Sequence, residues 1–171
     1  MPFISTELVL DYVRQVMEEH FDKRRKELTN GPEKAPTVKK WVSAEWAFPE
    51  VGDRGDYPKG VVNFDGDRLS ERREQDTGET ATIPVTVSIY FSLPGGDKDE
   101  ANKIAVRYGD GVLYTLMREA KVKRPKDSTA IPGLFRIWPD SMRVGQVQES
   151  DLMGCEVKAT VTVDSSFTAA V

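Results

Sequence analysis

Between residues 82 and 93 the chain alternates without a break in its apolar series. Ile83, Val85, Val87, Ile89, Phe91 and Leu93 fall on one side of an extended strand, and Thr82, Thr86, Ser88, Tyr90 and Ser92 on the other. A strand of this kind needs its apolar side covered, while its polar side tolerates water. Pro84 cannot donate to a neighbouring strand, which fits the first residues of a strand or a sheet edge. The same alternation closes the chain, with Cys155, Val157, Ala159, Val161 and Val163 opposing Glu156, Lys158, Thr160 and Thr162.

The cover comes from two segments with helical spacing. Leu8, Val9, Tyr12, Val13, Val16, Met17, Phe21 and Leu28 recur in threes and fours after a capping Ser5 or Thr6, and Gly31-Pro32 supplies the stop. Asp97 and Glu100 open the second helix in the manner of a capping box. Its apolar positions are Ala101, Ile104, Ala105, Tyr108, Val112, Leu116, Met117 and Ala120, widened by Leu113 and Tyr114. Gly109 and Gly111 each cost that helix about 1 kcal/mol relative to alanine, and close packing against the sheet accounts for them. The basic run Lys121, Lys123, Arg124 and Lys126 complements the helix dipole before Pro125 ends it.

Weaker strand signals fill the remainder. Val38, Val42, Ala44, Trp46 and Phe48 share one side of a strand, with Trp46 and Phe48 in the core and Lys40 at the open end. Val61, Val62 and Phe64 form a short strand that pairs back on it. Residues 134–138 and 144–148 read as a hairpin turning at Pro139-Asp140-Ser141. Residues 65–80 hold almost no apolar side chain and mix both charge signs, so they form a long loop, mobile or at an interface. The expectation is one α+β domain over residues 1–171: a mainly antiparallel sheet packed with two amphipathic helices, with a long charged loop insertion.

Function classes fall away on charge and residue supply. A formal net charge of −4 lacks the basic footprint of a nucleic-acid binder. No apolar run approaches the roughly 20 residues that cross a bilayer, and residues 1–7 lack a signal-peptide pattern. Cys155 is the one cysteine and lies on an apolar face, which leaves no internal disulfide or cysteine cluster. His20 is the one histidine and reads as a partly exposed helix residue. Gly95-Gly96 precedes a helix, but Asp97, Asp99 and Glu100 would repel phosphate there. Asp65 and Asp67 begin like a calcium loop that Arg68 breaks off. Arg54-Gly55-Asp56 reads as a turn. No catalytic, cofactor-binding or metal-ligating set is expected.

The order helix, strand pair, charged loop, strong strand, helix and closing strands resembles the tail-completion and tail-terminator proteins of tailed bacteriophages. Residues 8–21, 83–120 and 155–163 carry the likeness. It implies a structural, non-enzymatic virion protein, assembled in the host cytoplasm, that forms a ring with itself, commonly a hexamer. The ring sits at the head-proximal end of the tail, ends tail-tube growth and joins the tube protein to the head-tail connector. DNA passes through it without specific binding, and no cofactor or membrane is involved. Within that picture Asp67, Arg68, Glu71, Arg72, Arg73 and Glu74 are candidate subunit-interface residues, able to fix register through complementary charge. The alternatives are a head-tail connector or stopper protein and a small binding module with a soluble protein partner.

Overall fold

The computed structural model describes residues 6–28, 35–43, 56–65, 80–92, 96–119, 134–147 and 150–164. Among them run α1 (Thr6–Glu27), β1 (Lys40–Ser43), β2 (Lys59–Phe64), β3 (Thr80–Ser92), α2 (Lys98–Glu119), β4 (Leu134–Gln146) and β5 (Leu152–Asp164). The strands make one sheet in the order β1-β2-β3-β5-β4. Every neighbouring pair is antiparallel except β1 with β2. The chain is therefore α+β with an antiparallel-dominated sheet, as its sequence pattern requires.

β3 sits at the centre because it is apolar on the side that both helices cover. Ile83, Val85, Val87, Ile89 and Phe91 are all buried, and Cys155, Val157, Ala159 and Val161 of β5 continue the same layer. α1 lies over β1 and β2, and α2 over β3, β5 and β4. Val9, Val13, Met17 and Phe21 of α1 meet Ile104, Tyr108, Val112 and Leu116 of α2 in one core. Pro84 is neither at the start nor at an edge. Its carbonyl accepts from the Asp65 amide at 3.1 Å, so its nitrogen faces the end of β2, where the ladder has already stopped at Phe64. The bonds of β3 to β5 are untouched.

Asp97 caps α2: its Oδ1 accepts from the amides of Asp99 at 3.0 Å and Glu100 at 3.2 Å. The two helical glycines have different neighbours. A Cβ on Gly109 would collide with the Met142 thioether of β4, whereas one on Gly111 would stand 2.9 Å from Phe21 and 3.1 Å from the Arg25 stem. Gly109 thus serves contact with the sheet, and Gly111 contact with α1. Leu8, Leu28 and Met117 share the helical spacing but are exposed, each at the end of its helix or the margin of its apolar stripe.

Two strand expectations are corrected. β2 does pair with β1, but in parallel, with Lys40 opposite Lys59 and Ser43 opposite Val62. Residues 44–58 are long enough for the return crossover that parallel strands require. The expected hairpin at Pro139-Asp140-Ser141 does not exist. Residues 134–146 are one strand, and Asp140 is an extra residue in a bulge between Pro139, opposite Ala159, and Ser141, opposite Lys158. Thr160 Oγ1 donates to Asp140 Oδ2 at 2.7 Å and anchors the bulge. The turn lies further on, where the Val147 amide donates to the Leu152 carbonyl at 2.9 Å. Trp46, Phe48, Leu93, Ala120, the basic run 121–126 and most of the charged loop, residues 66–79, lie outside the described residues.

Candidate functional site

The titratable groups fall into structural settings. Burial pushes the Cys155 thiol up to about 12, so it is protonated and enclosed on the helix-covered side of β5. A thiol held in that form is a poor nucleophile. His20 is half-exposed on α1, 3.6 Å from Glu19 and 3.8 Å from Glu119 of α2. Glu119 is committed to Arg24, which reaches it through Nε at 2.7 Å and Nη2 at 2.6 Å. The same arginine binds Glu27, and that contact lowers the Glu27 carboxyl below its usual range. Nearby, burial first and the Glu119 charge second raise the Tyr12 phenol. The arrangement is a clasp between α1 and α2.

Arg25 is the least expected member of the core, with 1 % of its surface exposed. Its guanidinium lies 5.8 Å from the Phe21 ring centre and 5.7 Å from that of Tyr108, as a cation stacked among aromatic faces does. Nη1 donates to the Ala35 carbonyl and Nη2 to Asp22, each at 3.0 Å. Tyr108 donates its hydroxyl to the Pro36 carbonyl. Arg25 and Tyr108 together pin the chain just before β1 against both helices. Charged residues are rarely buried unless paired, and here the pairing and the ring faces supply the compensation.

The sheet's second face carries no helix among the described residues. Across it run rows of side chains set by the register: Val42, Val61, Ser88, Glu156 and Arg143 in one, and Lys59, Tyr90, Gly154 and Gly145 in the next. The Tyr90 ring lies over Gly154, where a Cβ would come within 2.9 Å of it, and burial raises its phenol. Nothing stands within 4 Å of the corresponding position on Gly145. Asp65 is buried at the other end of this face, 3.5 Å from Lys158. Arg143 is 3.7 Å from Glu156 and its side chain is 82 % exposed.

No group of three or more histidine, cysteine or acidic side chains with metal-binding geometry exists among the described residues. No described helix is long and apolar enough to cross a membrane. Asp67, Arg68, Glu71, Arg72, Arg73 and Glu74 lie outside the described residues, while Asp65 and Thr80 fix where that segment leaves β2 and enters β3.

No protein-family model matches this chain, and no curated protein matches it either.

The surface features therefore rest on geometry alone. Sequence reading passed over Tyr90, Arg143, Gly145 and Gly154. The signal was present: Gly145 and Gly154 are equally distant from a turn at residues 148–151, and placing the turn there pairs them. A turn placed at Pro139-Asp140-Ser141 hides that relation.

Proposed function

We propose that this chain is a structural assembly protein of a tailed-bacteriophage neck, forming a ring that ends the tail tube and joins it to the head. The observation that carries the reading is the arrangement of elements. A helix and a strand pair precede a strand, a helix and two closing strands, with both helices on one face of a single antiparallel-dominated sheet. A one-sided helical layer leaves two outer strands, β1 and β4, for contact with neighbours. The acidic balance suits a ring around DNA, because each lysine or arginine contact with phosphate would add salt-dependent affinity.

In this reading, the charged segment between Asp65 and Thr80 meets the adjacent subunit, with Arg68, Arg72 and Arg73 facing acidic groups and Asp67, Glu71 and Glu74 facing basic ones. Light scattering and negative-stain imaging, with and without purified tail tubes, test it. A closed ring that caps tubes and halts their growth is the expected result. A strict monomer at high concentration that leaves tube length unchanged would sink the reading.

A further inference from the structure

β4 is an outer strand, and its outer edge is divided at the bulge. The Val147 amide bonds to Leu152, and antiparallel ladders alternate, so Gly145 and Arg143 also turn their main-chain groups toward β5. Met142, Val144 and Gln146 therefore turn theirs outward. Above the bulge the edge is blunted by Pro139, which has no N–H, and by the bulge itself; these are common protections of an outer strand. Residues 142–146 carry neither device. On the sheet's second face this run presents a bare site at Gly145, beside the Tyr90 ring that covers Gly154.

We infer that residues 142–146 of β4 pair with the same residues of a second copy of this chain, antiparallel about a two-fold axis at Val144. In this register Val144 faces its own counterpart, and Met142 faces Gln146 of the second copy. All the outward amides and carbonyls at 142, 144 and 146 are satisfied. Arg143 then stands beside Gly145 of the second copy in a close, non-hydrogen-bonded pair, with Cα atoms about 4.5 Å apart. The bare glycine receives the long arginine stem and directs its guanidinium toward the Tyr90 ring. The two arginines approach each other diagonally, and the Glu156 opposite each of them offsets that charge. A larger residue at 145 would fill the space the arginine needs. The contact is isologous, joining one patch to itself, and so differs from the head-to-tail contact that closes a ring. It does not rest on the ring reading.

Three chains test the pairing, each sized by sedimentation velocity across a concentration series. The unaltered chain associates in even-numbered steps. Gly145→Leu, placed where nothing lies within 4 Å, keeps the fold by circular dichroism and weakens that association at least tenfold. Val144→Cys links two chains on oxidation with diamide, two thiols giving one disulfide, because facing Cα atoms at about 5.5 Å lie within disulfide range. Cys155 stands directly opposite residue 144 across the β4–β5 pair and would capture the new thiol within one chain, so the Val144→Cys chain also carries Cys155→Ala. A monomer at every concentration, association unchanged in Gly145→Leu, or a folded Val144→Cys chain that does not link, would each overturn the pairing. A ring that survives Gly145→Leu while the even-numbered step is lost supports it and leaves the neck reading standing.

Discussion

Arg25 shows how a single side chain can serve two elements. Its stem fills space beside Gly111, and its guanidinium holds the Ala35 carbonyl ten residues along the chain. Arg25→Ala removes packing and the hydrogen bond from Nη1 to the Ala35 carbonyl. Urea unfolding should show a loss on the order of 2–5 kcal/mol. Arg25→Lys should recover little, since an ammonium cannot reproduce a planar fork between two acceptors and two ring faces. The Cys155 thiol should resist iodoacetamide at pH 8 in the folded chain and react at the ordinary rate in urea, measured by mass spectrometry. Glu27 carries a pH dependence of defined sign. Its folded carboxyl is lowered, first by the hydrogen bond from Arg24, so its contribution is full above the unfolded value near about pH 4.3. That contribution is lost as pH falls through the folded value. Between about pH 5 and 3 the thermal midpoint of the unaltered chain should therefore fall more steeply than that of Glu27→Gln.

Among the elements, β2 depends on a residue with no side chain. Gly60 lies under the Trp41 indole, whose ring is itself held edge-on to Phe21 at 5.3 Å between centres. A Cβ there has no room, and the indole has nowhere to move. Gly60→Ala should destabilise the fold by about 1–3 kcal/mol, the usual cost of overpacking a core, and circular dichroism melts will show it. β3, β5, α1 and α2 were legible in the sequence because each has a sustained period, of two for the strands and near 3.6 for the helices. β1 and β4 were not. β1 is only Lys40–Ser43, too short to carry a period or announce its direction. β4 contains a proline and an extra residue that mimic a turn, and its pairing along β5 carries it through them as one strand. Of the candidate surfaces, the charged segment stood out by composition. The Gly145 site did not, because it exists only once Gly145, Gly154 and Tyr90 are brought into one row.

At the scale of the whole molecule both helices cover one face of the sheet, and the other face carries no helix among the described residues. If the segment between β2 and β3 sets register between subunits, reversing Arg72 and Arg73 to glutamate should leave the monomer's melting temperature unchanged and reduce ring yield by gel filtration at least severalfold. Raising salt should weaken the unaltered ring in the same direction, since exposed charge pairs are screened. The position of β3 has a further consequence, in time and not in space. β3 bonds along its whole length to β5, from Thr80 opposite Asp164 to Ser92 opposite Leu152, so the centre of the sheet joins residues far apart in the chain. Long-range pairings of this sort slow folding, because a large loop must close before any bond rewards it. During synthesis α1, β1, β2, β3, α2 and β4 all emerge before β5. The central ladder of the sheet can therefore close only after β5 has been made, later than the contacts between α1 and α2.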